Sequence, residues 1–486
     1  MNRSRRAFLP AVVVLLLCVF PGYAQEPLRL NPGNAVDMAI RNNLNLEMAR
    51  INLDMQRRRS DLVWNEFLPT VGVTGTLARG NRATTTQPGM IVAPLGATTI
   101  PVEHPLFGSG VVFPNPDIFL REIPSVTLPQ WNVMGALNAE LVFSFALLEG
   151  IRVVRNEYAE GLLSFDRARL QMEQGVRKMY NNILLLQANL ALLEESYLNA
   201  RRQADMAEAS FNAGLAPRLT WLQAQVAVEN TRPAVRDLEN TLGNVLGNFA
   251  LILGLPHDTP LELEPVSFDV SVIPWDVAEM ISRAAAGKPD ILELQAGIIT
   301  LQSQRQALRL QLYTPFLRFG WTLSSMFDPQ TDPFGENWFD RDHWEAGGNF
   351  SITLGMNFNG LFPFTREGQQ IRNMNSALQI QNIRLAQTIR ETELEIFTMI
   401  NTLERIRANV EVQRATVYLA EESFRLTEEA FRAGLQEFQA VQNAALALDQ
   451  ARLRVLTEQF TYLNYLIDLE YSLGIPFGTI SGDGNM

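Results

Sequence analysis

Phe211-Asn-Ala-Gly-Leu215 recurs as Phe431-Arg-Ala-Gly-Leu435, and Leu253-Gly-Leu-Pro256 recurs as Leu473-Gly-Ile-Pro476, both at an offset of 220 residues. Between these motifs residues 211–256 align on 431–476 without a gap. A tandem duplication restricts the fold severely, because whatever unit the first half makes the second makes again, and two like halves in one chain imply pseudo-symmetry inside a single object. Upstream, Ala35–Leu77 resembles Val277–Leu323 with a short insertion around Ala286-Gly-Lys-Pro289. In both halves a helical pattern ends at a proline, Pro69 or Pro315, and an alternating stretch follows. The expected unit is helix, strand, strand, helix, helix. It is expected over 25–256 and again over 275–476, with a proline-rich hinge at 257–274 and a tail at 477–486.

Four stretches alternate strictly, two per half, at about 69–78, 131–145, 316–325 and 349–359. Val71, Val73 and Leu77 oppose Thr70, Thr74 and Thr76; Trp131, Val133, Leu137, Leu141 and Phe143 oppose Asn132, Asn138, Glu140 and Ser144. Phe319, Trp321 and Leu323 oppose Arg318, Thr322 and Ser324; Phe350, Ile352, Leu354, Met356 and Phe358 oppose Asn349, Ser351, Thr353 and Asn357. Each stretch has about the 9–11 residues of a tilted membrane strand, with aromatics toward its ends. Alternation also fits an ordinary half-buried sheet; the Asn/Thr/Ser-lined second face and an export signal favour a membrane barrel. The lipid-facing set would include Val71, Val73, Leu137, Leu141, Phe319, Trp321, Ile352, Leu354 and Met356. Four strands cannot close a barrel, and open edges are not tolerated in lipid, so several chains must share one. The strand connections are expected as loops: Arg79–Gln130, with eight prolines, and Met326–Gly348.

Met1–Ala24 has the pattern of a secretory signal, with Arg3, Arg5 and Arg6 before an apolar run and small residues Gly22 and Ala24 at the cleavage site. That run is about half the ~20 residues a spanning helix needs. Cys18 as a lipid-anchored N-terminus is the rival reading, but no small residue precedes it. Cleavage would remove the only cysteine and three arginines, taking the formal charge from −12 to −15. That acidic balance argues against nucleic acid as a partner. His104, His257 and His343 cannot supply a clustered metal site, and no metal or cofactor is expected. There is no Gly-rich phosphate loop after a strand, no Cys/His pair and no Gly-x-Ser-x-Gly elbow, so no enzyme is expected.

The remainder is long helix. Gly150–Asn212 and Arg366–Arg432 contain no proline, and the second would run roughly 100 Å at ~1.5 Å per residue. Ile396, Leu403, Val410, Val417, Phe424 and Phe431 recur every seven residues, the pattern of a coiled-coil seam. Each helix stops at an Ala-Gly-Leu turn, and another runs back to Gly254 or Gly474. Two antiparallel helical hairpins result.

With Ala35-Val-Asp-Met-Ala-Ile-Arg-Asn-Asn-Leu44, Phe67-Leu-Pro69, and the doubled Phe-x-Ala-Gly-Leu and Leu-Gly-(Leu/Ile)-Pro motifs in order, the chain resembles the TolC-type outer-membrane efflux family. The resemblance covers essentially the whole mature chain. It implies a mixed α and β membrane protein: a homotrimer with a twelve-stranded outer-membrane β-barrel, continued by a periplasmic α-helical barrel of coiled-coil hairpins. It implies a passive duct for small molecules or polypeptides in tripartite efflux or type I secretion. A periplasmic adaptor would link it to an inner-membrane pump of the resistance-nodulation-division, ABC or major-facilitator type. The adaptor-docking tips would be Asn212, Ala213, Gly214 and Leu215 with Arg432, Ala433, Gly434, Leu435 and Gln436, although any hairpin needs such a turn. The family's acidic tunnel-entrance positions fall on Ala440 and Asn443, leaving Glu437 or Asp449 as substitutes. A stand-alone porin and a periplasm-spanning scaffold are the rival functions; the first leaves the hairpins without purpose, the second the two-faced strands.

Overall fold

The computed structural model describes residues 27–79, 84–85, 100–104, 108–113, 126–127, 131–266, 276–327, 344–358, 362 and 364–480; the segment 1–24 lies outside them. In chain order the elements are β1 (Leu28–Leu30), α1 (Pro32–Asn42), α2 (Leu44–Asp61), a 3-10 turn (Val63–Phe67), β2 (Thr70–Arg79), β3 (Thr84–Thr85), β4 (Ile100–His104), β5 (Gly108–Phe113), β6 (Val126–Thr127) and β7 (Trp131–Ser144). There follow α3 (Phe145–Asn212), α4 (Arg218–Ile252), β8 (Leu261–Leu263), α5 (Val277–Gly287), α6 (Pro289–Tyr313), β9 (Phe316–Phe327), β10 (Trp344–Gly355), α7 (Arg366–Arg432) and α8 (Phe438–Leu473). The chain divides into two compact units, one of residues 59–155 and 301–377, the other of residues 1–58, 156–300 and 378–486.

The first of these units holds a four-stranded antiparallel sheet in the order β10-β9-β7-β2. β7 is paired along both sides, with Val73↔Leu137 on one and Leu137↔Leu323 on the other. Because opposed residues share a face, the register sorts the side chains: Val71, Ala139, Trp321 and Phe350 form one apolar row, and Leu141, Phe319 and Ile352 another. The fourth strand differs from the expected 349–359: β10 runs from Trp344 to Gly355, so Met356 lies one residue beyond its end. Gly347-Gly348 reads locally as a loop, yet both glycines sit in the ladder opposite Ser324 and Leu323. Backbone hydrogen bonds to an existing neighbour override a weak local propensity. β9 likewise extends to Phe327. The segment Arg79–Gln130 is also more than loop, since β3 pairs with β6 and β4 with β5.

The other unit is built on α3, α4, α7 and α8. The expected single helix opening each half is two helices, α1 and α2 broken at Asn43, α5 and α6 broken at Lys288. The first of each pair is capped from its own sequence. Asn31 accepts the Asn34 N–H at 2.7 Å ahead of Pro32, and Asp276 accepts the Glu279 N–H at 3.1 Å. The hinge expected at 257–274 contains β8, which pairs in parallel with β1 through Leu28↔Leu261 and Leu30↔Leu263; residues 267–275 lie outside the described set. Tyr180 of α3 reaches β1 and the residue that follows β8, its hydroxyl 2.8 Å from Leu30 O and 2.7 Å from Glu264 O, and donates to one at a time.

Among the described residues, the two largest buried clusters of this unit centre on different helix pairs. One gathers Val176, Tyr180 and Ile183 of α3 and Phe249 of α4 around Leu30 and Val36. The other gathers Ile396, Ile400, Leu403, Ile406 and Val410 of α7 against Leu466 and Leu469 of α8, with Ala284 of α5. Ile396, Leu403 and Val410 are the buried part of the heptad seam. Gly474 closes α8 at φ +65°, and a Cβ there would stand 2.1 Å from Gly287 O. The described end of the tail folds back: fully buried Glu470 accepts the Ile480 N–H at 2.7 Å and the Gly478 N–H at 3.0 Å.

Candidate functional site

Both helical hairpins turn in the same way. Gly214 N–H donates to Phe211 O at 2.9 Å and Leu215 N–H to Ser210 O at 2.9 Å; Gly434 N–H donates to Phe431 O at 2.9 Å and Leu435 N–H to Ala430 O at 2.8 Å. Such paired bonds close a helix on a left-handed residue, and Gly214 and Gly434 have φ +72° and +71°. Asn212, Ala213, Arg432, Ala433 and Gln436 are exposed, and Leu215 and Leu435 are 83% and 78% exposed. Two large apolar side chains held in water by rigid turns are the surface a partner protein could cover.

The two tips lie together. A groove of about 730 Å³ is lined by Leu215, Ala216 and Pro217 on one side and by Arg432, Gln436 and Glu437 on the other. Beneath it Phe438, 3% exposed, packs on Ala204, Ala207 and Ala224 of the first hairpin. Phe211 stacks on Trp221 with centroids 5.6 Å apart, and Phe431 tilts against Phe438 at 5.8 Å. This packing was not read from the sequence. Its signal is Ala204 and Ala207, three residues apart on one helix face, which leave room for a ring.

Glu437 stands exposed at the N-terminal boundary of α8, and its carbonyl accepts the Ala440 N–H at 3.0 Å. Asn443 accepts from Gln439 Nε2 at 3.3 Å. Asp449 is turned to α3 instead, accepting from Ser196 Oγ at 2.7 Å, and burial pushes its carboxyl above the ordinary range. Three turns of helix thus separate an exposed tip carboxylate from a half-buried one. Close to Asp449, Arg452 donates to Glu195 Oε1 of α3 at 3.1 Å and to Glu421 Oε1 of α7 at 2.9 Å.

The sheet offers a second kind of surface. Val71, Val73, Ile352 and Leu354 are 58–81% exposed and share one face with Leu137, Leu141, Phe319 and Trp321. On the other face lie Thr74, Asn138, Thr322 and Asn349, with Asn138 Nδ2 3.5 Å from Thr74 Oγ1. The edges of the sheet are β2 and β10. Among the described residues no helix is long and apolar enough to cross a membrane.

Residues 35–254 match the sequence model of a family described as outer membrane efflux protein. Among solved structures, CusC matches at 16% identity and TM-score 0.68, covering 92% of each chain. VceC, an outer membrane protein of Vibrio cholerae, matches at 14% identity and TM-score 0.66, over 92% of this chain and 96% of that one. The CmeC outer membrane channel of Campylobacter jejuni matches at 15% identity and TM-score 0.61, over 91% of this chain and 85% of that one. At these identities the likeness is one of fold.

Proposed function

We propose that this chain, whose residues 35–254 match the outer membrane efflux protein family, serves as the outer-membrane exit channel of a tripartite efflux or type I secretion system. The observation that carries the reading is the sheet: four strands, an apolar face left exposed, a polar face opposite, and two edges at β2 and β10. Exposed strand edges and a continuous apolar face are costly in isolation. Three copies joined β2 to β10 would satisfy both, closing twelve strands in lipid with the polar face around an aqueous lumen. The hairpins α3–α4 and α7–α8 of three copies would form the periplasmic helical duct.

In this reading the groove between the tips receives the periplasmic adaptor, with Leu215 and Leu435 as its apolar contacts and Arg432 and Glu437 as its charged rim. An inner-membrane pump supplies the energy, so the channel needs no chemistry of its own. The entrance would be lined by Ala440 and Asn443, with Glu437 nearer the tip, rather than by a ring of carboxylates at the first two positions. Asp449 does not replace that ring, being engaged by Ser196.

Leu215→Cys and Leu435→Cys, each carrying a cross-linker in cells, test the assignment together with native mass measurement in detergent. A trimer whose tips capture an adaptor supports the reading. A monomer overturns the shared barrel, and trimers whose tips capture nothing leave a stand-alone porin.

A further inference from the structure

On the polar face of the sheet, Arg318 Nε of β9 lies 3.2 Å from Glu140 Oε1 of β7. The two are diagonal neighbours, since Glu140 is registered with Gly320 and Arg318 with Val142. The absence of a side chain at Gly320 leaves the path between them open. Arg318 is held a second time, its guanidinium 5.7 Å above the Phe316 ring. That ring lies across Gly355 of β10, where a Cβ would meet Phe316 Cζ at 2.5 Å.

The rest of this face is nearly free of charge. Thr70, Thr74 and Thr76 on β2, Asn138 on β7, Thr322 and Ser324 on β9, and Asn349, Ser351 and Thr353 on β10 are neutral. The other ionisable residue on it with a described side chain is Glu345, registered with Met326. Met326 is eight residues from Arg318 along β9, or roughly 27 Å at ~3.4 Å per residue. That exceeds the ~8 Å screening length at physiological salt, so the two levels act independently.

We infer that the Glu140–Arg318 pair is a specificity determinant of the channel, keeping the lumen at its level charge-balanced so that anions and cations pass alike. The inference rests on the reading of this face as an aqueous lumen. Both side chains are about half exposed, at 46% and 51%, so the pair adds little to stability and its charges remain visible to passing ions. In a trimer it supplies three positive and three negative charges at one height. Removing one sign leaves a threefold ring of the other, which is how charged rings select ions in pores. Phe316 keeps the guanidinium in place when its carboxylate partner is gone.

Purified channel in planar bilayers, under a tenfold potassium chloride gradient near 0.1 M where the screening length is ~10 Å and the Glu345 level stays separate, gives the test by reversal potential. Glu140→Gln should lower the cation-to-anion permeability ratio about two-fold or more, and Arg318→Gln should raise it about two-fold or more. The double variant and the swapped pair Glu140→Arg/Arg318→Glu should both return it to the wild-type value. Shifts of the same sign, no shift, or a double variant that stays displaced would overturn the inference while leaving the channel reading intact. A wild type that carries no current would overturn the channel reading itself. Each single variant is an isosteric or shorter neutral side chain on an exposed face, and if one fails to assemble, the other single and the double carry the sign test.

Discussion

Lys288 Nζ lies 2.6 Å from Glu395 Oε2 and 3.2 Å from Thr392 Oγ1, on a side chain that is only 10% exposed. The pair joins the break between α5 and α6 to α7. The chain has two lysines against 38 arginines, and the other, Lys178, is also paired, with Asp468 at 2.8 Å. An ammonium is a compact charge that fits a narrow site where a guanidinium fork would not.

Lys288→Met should therefore destabilise the protein. Glu395 is 45% exposed and can regain water, so the expected loss is about 1–2 kcal/mol rather than the larger loss of a fully buried pair. Thermal unfolding in detergent measures it. Amine-reactive labelling of the wild type should modify Lys178, which is 40% exposed, well before Lys288.

Gly434→Ala and Gly474→Ala should differ although both glycines have positive φ. At Gly434 a Cβ meets nothing within 4 Å, so the loss is the backbone term, about 1–2 kcal/mol. At Gly474 the same methyl would press on the Gly287 backbone, which has no flexible end to yield, and the melting temperature should fall further. Equal melting temperatures would contradict the close approach of α5 and α8.

Asp449 should report pH through stability. Burial raises its folded carboxyl value above the unfolded one, so the folded state binds the proton more tightly. The penalty for ionising it is absent below the unfolded value of about 3.9 and complete above the raised folded value. Asp449→Asn removes the penalty and can still accept from Ser196. The variant's gain in melting temperature over wild type should grow as pH rises through that window and then level off.

Phe350→Arg places a charge on the apolar sheet face midway along β10, where Phe350 is 64% exposed in the protomer. If that face meets lipid, the substitution costs about 2–4 kcal/mol near mid-bilayer. Trimer yield in outer-membrane fractions should drop sharply, whereas Asn349→Arg on the opposite face, registered with neutral Thr322, should assemble. The reverse ranking would mean the faces are exchanged.

Alternation made the strands readable because one-sided burial acts residue by residue along an extended chain. It did not reveal the strand ends, since Gly347 and Gly348 look like loop until β9 is beside them. β1 and β8 have three residues each and lie more than 230 residues apart, too little pattern for sequence to register. The tip turns were visible as Ala-Gly-Leu, but their side-by-side placement depends on Phe438 finding the three alanines of the other hairpin. Nothing in the local sequence sets Arg452, Glu195 and Glu421 apart from other helix charges, and they become a bridge among three helices only once those helices pack.

What the sequence determined alone was what the chain encodes within a few turns: a duplicated unit, strand and helix periods, glycine-closed turns, and a bias of apolar residues to one strand face. What only the tertiary structure decided was partnership: β7 beside β9, Tyr180 between Leu30 and Glu264, Lys288 on Glu395, Asp449 on Ser196, Arg318 on Glu140. The physical reason is range. Backbone sterics and burial period act between near neighbours and leave a readable rhythm, whereas a pairing across a hundred or more residues is set by the packing of every element that holds the two groups in reach.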